Sequence, residues 1–235
     1  MQTPQNTDYS GDAQLFLIEK YLKKYNQSLI SKLSKNFSHG SVLDFGAGIA
    51  TLAKLWKARF GKAPECLEID QKFRKLIEEQ NFNCHESLES LSQKYDYIYS
   101  ANVLEHIDDD ATTLKKLNAS LKTNGIIAIY VPALMMLYSN LDKDVGHYRR
   151  YEKKELIQKL QNANFKIIEC HFVDSVGFFV TSLVKIFNKK PSNSFLNKRT
   201  LLFYDKFIYP LSIFLDGLGA KYFFGKNLFI LAKKI

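Results

Sequence analysis

The chain has 235 residues, 46% of them hydrophobic and 24% charged, a balance that suits one globular domain with an insertion or a small appendage. Its cysteines, Cys66, Cys84 and Cys170, are odd in number and far apart, which excludes a disulfide framework and zinc-ligand spacing and fits a reducing, intracellular setting. The net charge of +9 is one-sided: residues 1–140 hold 16 Lys/Arg against 16 Asp/Glu, and residues 141–235 hold 17 against 8. Such a field suits an anionic partner (phosphate, carboxylate, a membrane surface or nucleic acid) or is a solvated lysine-rich face.

The polar start "MQTPQNTDYSGDAQ" has neither the basic nor the apolar region of a signal peptide. Leu15, Ile18, Leu22, Tyr25, Leu29 and Leu33 recur at steps of three and four, so one amphipathic helix is expected over 15–33. "SVLDF" reads as a short buried strand and "IATLAKLWKARF" as a helix stopped by Gly61. "ECLEI" is the second strand, and "QKFRKLIEEQ" the second helix of this alternation, ending near Asn81. A weak third strand lies around 82–86, and "YDYIYSA" is the fourth. Asp108, Asp109 and Asp110 suit the positive N-terminus of a helix through Leu114, Leu117 and Leu121, which "NG" at 124–125 should end. "IIAIYVP" is a fifth strand, 139–150 a polar loop, and "EKKELIQKLQNANF" a helix with Asn164 at its left-handed end. "FKIIECHFV" and "NLFILAKKI" complete the strands. Alternation of this kind implies a largely parallel α/β sheet with helices on both faces.

Residues 174–225 have a different texture, rich in Phe, Leu and Lys, as in "VGFFVTSLVKIFNKK" and "LLFYDKFIYPLSIFL". Their apolar runs are far shorter than the roughly 20 residues of a bilayer span, and Pro210 and Gly217 should break any single long helix. The insert can cover a substrate pocket, make a dimer interface, or lie on an anionic membrane surface as an amphipathic hairpin. An ordinary helical subdomain with its own core is the plainer alternative.

In an open α/β sheet, ligands bind beyond the carboxyl ends of the strands, where "VLDFGAGIAT" puts Asp44, Gly46 and Gly48. Thr51 stands where a dinucleotide fold has its third glycine, which disfavours a nicotinamide oxidoreductase. The second strand ends in "LEID". An acid there can accept from both hydroxyls of a ribose. Asp70, at the tip, is the expected residue, with Glu68 facing the same side of the strand and a helix cap as the plainer role for Asp70.

"VLDFGAG", "LEID", "YDYIYSANVLEHI" and "LKTNGIIAIYVP", in this order, resemble the class I S-adenosylmethionine (SAM)-dependent methyltransferases, of the type 11/12-like domain. Ala50 departs from the third glycine many members have. The resemblance implies a Rossmann-like seven-stranded sheet whose last strand runs antiparallel beside the sixth, with the helical insert inside that hairpin. It implies an N-terminal helical cap (1–39), a SAM-binding core (40–173) with a lid loop (133–151), the insert (174–225) and a final strand (226–235). It also implies that Asp44, Gly46, Ala47 and Gly48 line the methionine and sugar. Asp70 would hold the ribose, Glu86 and Ser87 would meet the adenine, and Asn102, Val103 and Leu104 would border the methionine.

Methyl transfer from a sulfonium is a one-step displacement that depends on alignment, with a base where the acceptor carries a proton. Glu105 and His106 lie just beyond the fourth strand, so His106 is a candidate base, or both only position the loop. No metal is expected. "DKDVGHYRRYEKKEL" resembles a GH-x-RRY signature of bacterial methyltransferases acting on lipid- or sugar-linked substrates. It makes His147, Tyr148, Arg149 and Arg150 candidate substrate residues, unless the arginines pair with acids such as Asp142 and Asp144. The expected function is SAM-dependent methylation, at oxygen, of a small-molecule or lipid/sugar-linked acceptor, in the cytoplasm or at the inner membrane face. Competing readings are a silent SAM-fold scaffold and a nucleic-acid methyltransferase, the latter disfavoured because "SANVLEH" lacks the Pro-Pro-aromatic motif of amino methyltransferases.

Overall fold

A computed structural model describes residues 12–187 and 197–235. The first eleven residues, which include most of the polar start, and positions 188–196 of the insert lie outside the described residues. The expected single helix is two, α1 (Asp12–Tyr21) and α2 (Lys23–Leu33), parted at Leu22 (φ −98°, ψ 55°). The cause is a carboxylate from the insert: Asp205 accepts the amides of Lys24 (3.1 Å) and Tyr25 (2.9 Å) and so caps the positive end of α2.

The alternating run follows as β1 (Val42–Phe45), α3 (Thr51–Phe60), β2 (Glu65–Leu67), α4 (Gln71–Glu79), β3 (Cys84–His85), β4 (Tyr95–Ala101), α5 (Asp110–Ser120) and β5 (Leu121–Pro132). Gly61 ends α3 with φ 71° and Asp109 caps α5 through the Thr112 amide (3.0 Å), as expected. The "NG" pair does not end α5. The helix stops at Ser120 because Leu121 is already extended (ψ 146°), and Lys234 takes the orphan carbonyls of Asn118 and Leu121 at 2.7 and 2.9 Å. The polar loop holds a short helix, α6 (Asn140–Asp144), before α7 (Lys153–Asn162) and β6 (Phe165–Val173).

The insert supplies α8 (Ser175–Phe187), α9 (Lys198–Phe203) and α10 (Tyr209–Gly217), and β7 (Asn227–Lys234) closes the chain. Pro210 does not break the helix. A wide i→i+5 turn over Tyr204–Ile208 joins α9 to α10 and absorbs the proline, which has no amide to donate and crowds the carbonyl four residues back. The helix ends after Gly217. Asp216 accepts the amides of Asp174 and Ser175, and Asp174 accepts from the Gly177 amide, so both ends of the insert are tied to the end of β6.

The seven strands run β3-β2-β1-β4-β5-β7-β6, with β7 antiparallel to both neighbours and the other pairs parallel. Alternation along β4 sends Tyr97 and Tyr99 to one face, against Trp56 and the α2 leucines, and Ile98 to the other, against Leu114 and Leu160. This is the Rossmann-like fold the sequence led us to expect. Among the described residues no helix is long and apolar enough to cross a membrane.

Candidate active site

β1, β2, β4 and β5 end on the same edge because they are parallel. The chain leaves β1 through Gly46 (φ 79°) and Gly48 (φ 56°). A Cβ on Gly46 would lie 2.3 Å from Val103 Cγ2, so the ends of β1 and β4 can approach only over a glycine. The amides of Gly46 and Ala47 bond the Leu67 carbonyl at 2.9 and 3.0 Å. Ala50, where a third glycine was expected, adopts φ 63° all the same. Leu15 of α1 lies over the turn, its Cδ1 3.6 Å from where a Gly48 Cβ would sit.

The two acids of "LEID" divide their work differently from the expectation. Asp70 caps α4, accepting the amides of Lys72 (2.7 Å) and Phe73 (3.4 Å). Glu68 is the acid that faces the glycine turn. Its Oε2 accepts from the Gly48 amide at 2.8 Å and its Oε1 from the Asp70 amide at 3.0 Å. Burial raises the pKa of the Glu68 carboxyl, against the lowering by these amides. Between the two acids Ile69 is 79% exposed, an apolar side chain open at the same edge. Arg74 bonds the carbonyls of Glu68 (3.1 Å) and Ile69 (2.6 Å) and stands 3.8 Å from exposed Glu86, tying the ends of β2 and β3 together. Ser87 caps a short turn over Leu88–Ser90.

Asp44 is buried, its Oδ2 3.0 Å from the Tyr99 hydroxyl that donates to it. Burial pushes its pKa up to about 7, the Tyr99 hydroxyl opposes the rise, and Glu68 adds to it. A raised carboxyl binds its proton more tightly folded than unfolded. Its contribution is therefore full below the unfolded pKa near 4 and is lost as pH rises through about 7. Between about pH 5 and about pH 8 the ligand-free protein should lose roughly 2–3 kcal/mol from this group. Urea unfolding of wild type and Asp44→Asn at the two pH values isolates it: the variant keeps an acceptor for Tyr99, and its change between the two pH values should differ from that of wild type by this amount, the remainder belonging to other buried groups.

At the end of β4, Asn102 (φ 54°) donates its amide to the Tyr130 carbonyl at 2.8 Å, Val103 packs on Gly46, and Leu104 is buried. Glu105 is fully buried, and neither carboxylate oxygen has a hydrogen-bond partner. Burial pushes its pKa up to about 8, with Arg150 pulling down and Asp142 up. His106 is held down to about 4, by burial first and then by His147, whose ring meets it edge-on at 4.6 Å.

His147 stands 3.9 Å by its Nε2 from Glu105 Oε1 and bonds Asp142 Oδ1 at 3.0 Å by its Nδ1. Arg150 donates from Nε to the same Asp142 oxygen at 2.8 Å, out of solvent. Arg149 reaches the Asp108 carbonyl (2.8 Å) and the Asp110 carboxylate (3.1 Å). Of the four candidate substrate residues, both arginines are thus engaged with acids of the chain itself, Tyr148 is exposed, and His147 turns inward to Glu105. The sequence showed no metal-ligand cluster, yet Glu105, His106 and His147 bring one ligand atom each within 4.8 Å of one another.

Sequence reasoning passed over the polar wall beyond Asn102. Tyr25 of α2 meets Tyr130 of β5 (hydroxyls 3.4 Å apart) and Tyr209 of α10 (ring centroids 5.0 Å). The Tyr204 hydroxyl bonds Asp174, and Lys226 lies over the Tyr204 ring at 5.4 Å. Burial pushes Tyr25 up to about 12 and lowers Lys226, which Asp174 opposes. No local pattern marks these residues, which come from four separate parts of the chain.

Solved structures with this fold include a SAM-dependent methyltransferase from Thermotoga maritima, 14% identical with a TM-score of 0.61 over 95% of this chain and 94% of that one. A SAM-dependent methyltransferase from Archaeoglobus fulgidus is 21% identical, with a TM-score of 0.60 over 94% and 99%. Phosphoethanolamine N-methyltransferase 2 of Haemonchus contortus, solved with S-adenosyl-L-methionine, is 17% identical, with a TM-score of 0.63 over 95% of this chain and 57% of that one. A comparison with curated protein sequences gave no match. The methyltransferase-domain family matches residues 18–170, well over half of the chain. With its sheet order and glycine turn, the chain belongs to the methyltransferase-domain family and is a SAM-dependent enzyme.

Proposed function

We propose that the chain moves a methyl group from SAM to the oxygen of a small-molecule or lipid/sugar-linked acceptor. The observation that carries the donor site is the pair of buried acids, Asp44 and Glu68, flanking the glycine turn. SAM brings a sulfonium and an ammonium, and cationic groups are what two acids with raised pKa values favour. In this reading Glu68 replaces Asp70 as acceptor for the ribose hydroxyls, and Gly46, Ala47 and Gly48 let the ligand approach the backbone. Ile69 offers an apolar face to the adenine, with Glu86 and Ser87 at its polar edge. Asn102, Val103 and Leu104 border the methionine, beside Asp44.

The acceptor then lies beyond Asn102, between Glu105 and His106 on one side and Tyr25, Tyr204 and Lys226 on the other. Its oxygen attacks the methyl carbon as the C–S bond breaks and sulfur keeps the pair, while the hydroxyl proton passes to a base at Glu105 or His106. The expected division stands as part of this reading: helical cap 1–39, core 40–173 with lid 133–151, insert 174–225 and strand 226–235. The insert's exposed Phe179, Leu183, Phe207, Phe214 and Phe223, interspersed with lysines, support a lipid-linked acceptor at an anionic inner-membrane surface. The GH-x-RRY stretch resembles enzymes of that substrate class.

Calorimetry with SAM, followed by transfer of labelled methyl to separated lipid, glycan and small-molecule fractions, tests the proposal. We expect saturable SAM binding and base-stable label in the lipid or glycan fraction. No heat at millimolar SAM would sink the donor site; label in small polar molecules alone would sink the lipid-linked acceptor.

A further inference from the structure

Lining the acceptor does not by itself account for the group around Glu105. Glu105 projects from the turn after β4, fully buried, with both oxygens unpartnered. A buried carboxylate without a hydrogen bond is costly and rare. Its oxygen lies 3.9 Å from His147 Nε2, with the His106 ring edge-on to that of His147. The far nitrogen of His147 is fixed by Asp142 at 3.0 Å. Asp142 is in turn held by Arg150 at 2.8 Å and by the amide of Ser139 at 2.9 Å. A carboxylate on one imidazole nitrogen fixes the tautomer and turns the other nitrogen's lone pair outward. This is the support that metal-ligating histidines receive.

We propose that Glu105, His106 and His147 bind one divalent first-row transition ion of the zinc or cobalt type, with Asp142 as the positioning residue for His147. Two imidazoles and one carboxylate are the ligand chemistry of such ions rather than of magnesium or calcium, which prefer all-oxygen shells. Ions with bonds of about 2.1 Å hold neighbouring ligands roughly 3.4 Å apart. The three ligand atoms, all within 4.8 Å of one another, need to close by no more than about 1.4 Å at any gap. Three protein ligands leave a coordination position open, as in catalytic rather than structural sites.

Ion binding does not depend on the donor site. What the ion would do there rests on the function proposed above: with Glu105 and His106 engaged as ligands rather than as the base, it would acidify an acceptor hydroxyl at the open position, whose proton would leave to solvent before the oxygen attacks the methyl carbon and the C–S bond breaks.

The test uses the untagged full chain, stripped with chelator and titrated with cobalt(II) in the absence of SAM. We expect visible d–d absorption saturating at one cobalt per chain and displaced by zinc. His147→Ala should abolish it, Glu105→Gln should weaken it at least tenfold, and Asp142→Asn should weaken it roughly 10- to 100-fold. Circular dichroism establishes that each variant is folded, and His106→Gln substitutes for any that is not. No cobalt spectrum at millimolar metal with folded wild-type protein overturns the site, as does undiminished binding by folded His147→Ala. Because SAM is absent, a failure here leaves the donor site intact, and a failure of SAM binding leaves this site intact.

Discussion

Glu68→Gln should weaken SAM binding by roughly 30- to 1,000-fold, while Asp70→Ala should change it by no more than about threefold. The first figure is the loss of charge-assisted hydrogen bonds to two ribose hydroxyls, about 2–4 kcal/mol. The second follows from where the Asp70 carboxylate is spent: on the Lys72 and Phe73 amides of α4. Its removal should cost about 1 kcal/mol of stability, as loss of a helix cap does. Glu68 has a lobe on Gly48 and a lobe on Asp70 in the ligand-free chain, so its position is set before SAM arrives. Glutamine keeps the shape and one acceptor, but its amino group must face one of the two amides, Gly48 or Asp70, that the carboxylate accepts from, so part of the effect falls on stability. Calorimetry on both variants, with urea unfolding beside it, separates binding from stability. If Asp70→Ala loses SAM and Glu68→Gln keeps it, the ribose belongs to Asp70 after all.

The two acids also mark where sequence reading stops. Both sit within three residues at the end of β2, and strand periodicity turns both to the same side. Which one caps the helix and which faces the glycine turn depends on where β2 ends and α4 begins, a boundary that periodicity places only within a few residues. β1, β2 and β4 were legible because each is a largely buried run closed by a glycine, an acid or an asparagine. The break at Leu22 was not, since its cause, Asp205, comes from 180 residues away. The same holds around Glu105. "LEHI" announced Glu105 and His106, and "GHYRRY" announced His147. That they converge is a fact of the chain's path between β5 and α7, not of spacing. The tyrosines beyond Asn102 carried no signal, because tyrosine is common in buried strands and helices alike.

Arg150→Met should destabilise the protein by about 3–5 kcal/mol, the range found when one partner of a buried ion pair is removed, and a large share of an ordinary domain's stability. Arg150 is buried with Asp142, and its charge also pulls the pKa of Glu105 down. Removing it leaves Asp142 out of solvent with only His147 and Ser139 as partners. Arg149 differs in kind. It is paired with Asp110 and with exposed Asp108, so Arg149→Met should cost about 1 kcal/mol or less. Replacing Asp142 and Arg150 together by Leu and Met should recover part of the loss, since no charge of the pair is then left stranded. Thermal and urea unfolding of the three variants, in the absence of SAM and metal, decides between two uses of this arginine. A folded Arg150→Met protein that melts with the wild type but no longer turns over acceptor would place the guanidinium on the substrate. A protein that melts early, with SAM affinity unchanged at temperatures where it is folded, makes it the brace that keeps Asp142 on His147.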